Sequence, residues 1–177
     1  MKLLLVHHAF PPEGVGGSEL YTLSLARRLA GRHQLSVLHR SLDPKRGDYD
    51  LREAERDGFR TLSVNVGPRP GLGFEAYRDP VLSGLVAGVL DDLRPDLVHV
   101  GHLSGLSTGV VFAARRRGIP VVLTLHDFWM LCPLGQLLNR HLQVCPGPGP
   151  RRCLDCVGAQ VAATPRATAR GRARGRG

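Results

Sequence analysis

Five short apolar runs recur along the chain, at residues 2–8 (KLLLVHH), 34–39, 59–66, 96–100 (DLVHV) and 119–125 (IPVVLTL). Runs of this length, ending at turn residues, fit strands buried on both faces of a parallel sheet. Helical spacing fills several gaps between them. Leu20, Leu23, Leu25, Ala26, Leu29 and Ala30 fall on helical positions after Ser18, the expected N-cap, and Glu19 in the first turn; Gly31 ends the run. Residues 80–93 read as a second helix with Pro80 in its first turn, and residues 103–117 as a third ended by Gly118. Residues 41–57 are polar and irregular, with a short helix expected from Leu51, and GPRPGLG at 67–73 is a loop. Strands alternating with helices in this way predict an α/β domain with a mostly parallel sheet and helices on both faces.

The pattern stops after His126. Residues 132–156 are rich in Pro, Gly and Cys, and residues 157–177 are an Arg/Gly/Ala tail without apolar periodicity, expected to be disordered. The expected organisation is therefore a domain at 1–131, a Cys-rich segment at 132–156 and a disordered tail at 157–177.

Charge sharpens that division. The chain of 177 residues carries a net charge of +9, but five arginines and no acidic residue lie in the tail. The first 156 residues then hold 19 basic against 15 acidic groups, so the folded part is mildly basic and its pI does not argue for nucleic-acid binding. With 42% hydrophobic and 22% charged residues the composition is that of an ordinary globular protein. No apolar run approaches the ~20 residues of a membrane span, and the N-terminus has no signal-peptide pattern. The expected location is the cytoplasm, at most against the inner face of the membrane.

Ligands of open α/β sheets bind beyond the carboxyl ends of the strands, and three polar segments fall there. The first, HHAFPPEGVGGS, brings Gly14, Gly16 and Gly17 before a helix N-terminus, where positive φ and close backbone approach suit an anion. It lacks the third glycine of a dinucleotide fingerprint, since Glu19 stands there, and the lysine of a P-loop. The second carries His102 and Ser104, able to donate to a ligand hydroxyl, whereas His99 lies within a strand and reads as structural. The third pairs His126 with Asp127, a combination suited to hydrogen bonding a polar substrate or moving a proton. Each segment alone also fits a purely structural role; their convergence on one sheet edge points to a site.

The stretches FPPEGVGGSELYTLSLARRLAGRH, RPDLVHVGHLSGLS and GIPVVLTLHDFW, in this order, resemble the N-terminal, acceptor-side domain of family 4-like glycosyltransferases, over residues 1–156. The resemblance implies one Rossmann-like half of a GT-B fold, in which two such domains face each other across a cleft. It implies hexosyltransferase-type transfer from a nucleotide-sugar donor to a sugar or lipid-linked acceptor, with retention at the anomeric carbon. Gly16 and Gly17 match the loop that approaches the donor phosphates, and His126, with Asp127 beside it, matches the histidine that contacts the transferred sugar. The family's second domain holds the nucleotide sugar and carries two glutamates separated by seven residues. The five glutamates here (Glu13, Glu19, Glu53, Glu55 and Glu75) include no such pair. The chain is thus expected to be a truncated product, inactive alone, or to need a separate donor-domain partner chain.

Cys132, Cys145, Cys153 and Cys156 lie within 25 residues, and C-x2-C is a zinc-ligand spacing. Either they hold a closed structural zinc or they are free thiols; four thiolates leave no open position for a catalytic metal, and no cofactor is expected for catalysis. A zinc-stabilised module whose basic tail contacts RNA or another polyanion is the alternative function, although the tail has no aromatics for stacking. A nicotinamide-dependent oxidoreductase fits least, because the glycine fingerprint is broken.

Overall fold

The computed structural model describes residues 1–68, 77–132 and 134–163. Among these the chain runs β1 (Lys2–His7), α1 (Gly17–Ala30), β2 (Gln34–Ser41), β3 (Leu51–Arg56), β4 (Phe59–Asn65), α2 (Pro80–Leu93), β5 (Leu97–Val100), α3 (Gly109–Arg116), β6 (Val121–Leu123) and α4 (Pro150–Ala163). One six-stranded sheet has the order β3-β4-β2-β1-β5-β6. Every pairing is parallel except β3 with β4.

The two-fold pleat divides the apolar run of β1 between two cores. Leu3 and Leu5 face Leu23 and Ala26 of α1, with Phe10, Leu35, Val37 and Phe59. Leu4 and Val6 face the opposite layer, built from Leu82, Val86 and Leu90 of α2 and Val110, Ala113 and Ala114 of α3. Both sheet faces are covered, as the apolar runs require. α2 is set by its ends: Asp79 accepts a hydrogen bond from the Leu82 N–H at 3.0 Å, and Pro80 occupies the first turn. No helix among the described residues is long and apolar enough to cross a membrane.

Several expectations need correction. Residues 51–56 form a strand, not a helix. The Asp57–Gly58 pair takes positive φ at both positions, 50° and 79°, the geometry of a tight two-residue hairpin that folds β3 back on β4. β3 is an edge strand, and its Arg52, Glu53 and Glu55 face solvent, which protects the edge from further pairing. The third helix begins at Gly109, not at 103, because Gly105 and Ser107 turn through φ of 67° and 82°. Ser18 is not the cap of α1. Gly16 holds that position without a side-chain bond, and the Ser18 hydroxyl donates to Glu19 instead. Leu20, expected to be on the packed face, is 48% exposed, while Glu19 and Thr22 are buried. α4 extends to Ala163, so residues 157–163 are helical where their composition suggests disorder. The tail arginines from Arg166 onwards, and most of the expected 67–73 loop, lie outside the described residues.

Candidate functional site

The carboxyl ends of β1, β5 and β6 meet at one edge of the sheet, and the polar residues that follow each strand gather there. His7 ends β1 and is fully buried. His8 follows it, His102 follows β5, and His126 and Asp127 follow β6. Ring centroids lie 4.6 Å apart for His7 and His8, 4.4 Å for His8 and His102, and 5.9 Å for His7 and His126. Tyr21 of α1 meets His126 edge-on at 5.1 Å, and Trp129 lies 5.3 Å from His102.

Hydrogen bonds fix these rings. The Ser104 N–H donates to His102 Nδ1 at 3.1 Å, so the proton of the neutral ring lies on Nε2, which donates to Asp127 Oδ2 at 3.1 Å. The other Asp127 oxygen accepts from the Trp129 N–H at 2.8 Å. Burial alone would raise the Asp127 carboxyl, but the Trp129 N–H and His102 outweigh it and hold the group below the ordinary carboxylate range. His7 Nδ1 donates to the Ala9 carbonyl at 2.9 Å. Burial, reinforced by His8, lowers His7 to about 4, and burial with His102 lowers His8 to about 4. Both rings are neutral at pH 7.

His8 Nε2 lies 3.1 Å from Glu19 Oε1 and donates to it. For Glu19 too, burial raises the carboxyl; the backbone N–H of its own helix turn, the Ser18 hydroxyl and His8 overcome this and keep it ionised. Three buried imidazole nitrogens in this cluster, His7 Nε2, His8 Nδ1 and His126 Nε2, have no hydrogen-bond partner among the described residues. In neutral His7 and His8 these nitrogens are lone pairs, because the opposite nitrogen of each ring carries the proton. Such groups are costly to bury unpaired and cluster where a polar ligand completes them. His7, His8 and Glu19 also place one ligand atom each within 4.8 Å of one another, a donor set suited to a divalent transition metal.

Next to the cluster, a cavity of about 370 Å³ opens between β5, α3 and β6, with His102, Thr108, His126 and Asp127 on its polar side and Phe112, Leu125, Trp129 and Met130 on its apolar side. Gly101 also lines it. A Cβ there would lie 2.5 Å from His7 Cδ2 and 3.6 Å from His126 Nε2, so only glycine lets the rings meet.

The structure therefore brings His102, Ser104, His126 and Asp127 together, with Ser104 acting through its backbone. It treats the glycine loop differently from expectation. Gly14, Gly16 and Gly17 do not take positive φ. Gly16 serves close approach: a Cβ there would meet Glu19 Oε2 at 2.6 Å. The start of α1 thus already faces a carboxylate. His99 is structural as read, its Nε2 2.7 Å from the Thr124 hydroxyl. His7, His8, Glu19, Tyr21 and Trp129 join the site without having been singled out. Only the doubled histidine at the end of a strand was a usable signal. The four cysteines lie apart, around a second, small cavity.

The model of the glycosyl transferase 4-like domain matches residues 16–176. The chain belongs to this family. No curated protein matches it in sequence. Among solved structures, a hydrogenase C-terminal domain from Pyrococcus furiosus is 20% identical at a TM-score of 0.45, covering 70% of this chain and 91% of that one. An E. coli structure described as trehalose-6-phosphate bound with UDP-2-fluoro glucose is 14% identical at a TM-score of 0.47, covering 72% and 33%. Sucrose-phosphate synthase from Thermosynechococcus elongatus is 16% identical at 0.45, with the same coverage. The chain thus spans about a third of these last two. The glycosyl transferase 4-like assignment joins the family resemblance of the sequence motifs to the mixed α/β fold with its mostly parallel sheet.

Proposed function

We propose that this glycosyl transferase 4-like domain is the acceptor side of a retaining hexosyltransferase, and that a donor-binding domain must complete it before sugar moves from a nucleotide to an acceptor. The observation that carries this reading is the set of imidazole lone pairs on His7 and His8, beside Asp127 and His126. Lone pairs and carboxylates attract hydroxyl donors and repel phosphate, so the cluster suits a sugar or other polyol. His126 Nε2 is the group offered to a substrate hydroxyl. Asp127 holds His102 and the turn to Trp129 in place while remaining 40% exposed at the side chain. The cavity beside them provides an apolar wall for a sugar face or a lipid-linked portion. The absence of a glutamate pair with seven intervening residues supports the need for a second domain. Gly16 and Gly17 remain the residues assigned to the donor phosphates, with the Glu19 carboxylate against Gly16 and nothing within 4 Å of a Cβ at Gly17.

Transfer is assayed with a panel of nucleotide sugars and saccharide acceptors, using the chain alone and with a separately produced donor domain of the family. No turnover alone, turnover in the mixture, and loss of at least ~100-fold in His126→Ala are expected, a magnitude ordinary for a group bonded to the reacting sugar. Turnover by the chain alone overturns the requirement for a partner. Absence of saccharide signals in saturation-transfer NMR of the chain overturns the acceptor reading.

A further inference from the structure

Among the described residues, 124–132 and 134–149 follow the last strand without helix or sheet beyond one bridge between Leu138 and Val144. They bury little. Leu131 is 61% exposed, Leu142 80% and Val144 83%, and among the described residues of this segment only Trp129 packs against a core cluster. α4, which follows, has Leu154 70% exposed. A segment of this length with so little apolar burial needs a staple other than a hydrophobic core.

The only cysteines of the chain lie in this segment and in α4. Cys132 lies after the Trp129 turn, Cys145 follows the bridge, and Cys153 and Cys156 sit one turn apart in α4, where i and i+3 share a face. All four line one cavity of about 20 Å³, with Leu131, Leu134, Leu137, Leu138 and Pro148 around them. That is room for one ion or one water. The backbone engages one of these sulfurs: the Gly149 N–H donates to Cys153 Sγ at 3.3 Å. All four cysteines are free thiols rather than disulfides.

We propose that Cys132, Cys145, Cys153 and Cys156 bind one zinc ion as a closed tetrahedral thiolate site. No three of the sulfurs lie within 4.8 Å of one another, whereas thiolates ~2.3 Å from zinc lie roughly 3.8 Å apart, so binding draws the cluster in around its cavity. Each bound thiol releases its proton, and the Cys145 S–H bond to the Gly147 carbonyl is exchanged for the metal. The site acts on the functional edge through a short path. The Cys132 N–H donates to the Phe128 carbonyl at 2.7 Å, and the Phe128 N–H donates to the Gly135 carbonyl at 2.8 Å; Phe128 lies between Asp127 and Trp129. Zinc would thereby fix the turn that holds Asp127. The inference is independent of sugar transfer, because its readout is metal content.

The full chain is purified without added chelator, and its zinc is measured alongside reactive thiols. One zinc per chain, four thiols protected until a mercurial releases the metal, and zinc reduced at least tenfold in Cys153→Ser/Cys156→Ser are expected. Cobalt exchange should give the intense thiolate charge-transfer and visible bands of a tetrahedral S4 site. To separate metal loss from cleavage of the variant in cells, the wild type is also stripped with chelator. Proteolysis within residues 124–163 should then accelerate at least tenfold while residues 1–116 stay resistant, and zinc should reverse it. Four freely reactive thiols in zinc-containing buffer, two disulfides, zinc content unchanged by the double substitution, or the absorption of an iron–sulfur cluster would each overturn the assignment.

Discussion

At the scale of single residues, the site is decided by what stands beside each imidazole. His102 is oriented from both sides, by the Ser104 N–H and by Asp127, whereas His126 Nε2 has no hydrogen-bond partner among the described residues. Neighbouring histidines in the same cluster thus have different work to do. Gly101 is what lets them gather. In Gly101→Ala the new methyl would press on buried His7, which has nowhere to go, so an overpacking cost of about 1–3 kcal/mol is expected in urea unfolding, together with weakened saccharide binding. Gly17→Ala is the control. A Cβ there meets nothing within 4 Å, and unfolding should be unchanged or slightly stabilised. Equal losses in the two variants would show that Gly101 has no special packing role.

At the scale of elements, end chemistry decides where helices and strands begin. α2 matches its sequence reading because its signals are local: Pro80 opens it, and apolar spacing carries it to Leu93. The contribution of Asp79 is a cap that also accepts from the Tyr49 hydroxyl at 2.7 Å, joining α2 to the segment before β3. Asp79→Ala should cost about 1–2 kcal/mol, read as a lower urea midpoint with an unchanged slope. β3 is hidden in the sequence because Leu51–Arg56 consists of good helix formers, and the Asp57–Gly58 turn that reverses the chain falls at the end of the polar, irregular stretch 41–57. Pairing with β4 outweighs helix propensity there. The start of α3 was misplaced for a similar reason. Leu103 and Leu106 are apolar because the loop is buried, not because it is helical.

At the scale of the whole molecule, the buried histidines couple stability to pH. His7 and His8 have folded pKa values of about 4, below the ordinary 6.5 of the unfolded chain. As pH falls from 6.5 toward 4, the unfolded state takes up protons that the folded state refuses. The folded state therefore loses stability across that window and not above it. Urea midpoints should fall between pH 6.5 and 4, and the fall should shrink in a His8→Gln variant. A midpoint that is flat over this range would mean that both rings protonate freely in the folded chain.

The sequence by itself determined the number and order of the parallel strands, the layering of helices on both faces, and the three segments at the strand ends. These follow from apolar periodicity, which is local and survives reading one residue at a time. The polar segments after those strands placed His102, Ser104, His126 and Asp127 at the same edge, and the family resemblance singled out His126 with Asp127 there. Only the tertiary structure decided that His7, His8 and Glu19 belong with them, that Gly16 makes room for a carboxylate rather than taking positive φ, and that the four cysteines face one cavity. Those relations join residues far apart in the chain, such as His102 with Asp127, and depend on how strands β1, β5 and β6 lie beside one another. Spacing along a sequence carries no such information, because burial and hydrogen-bond partnership are set across the sheet.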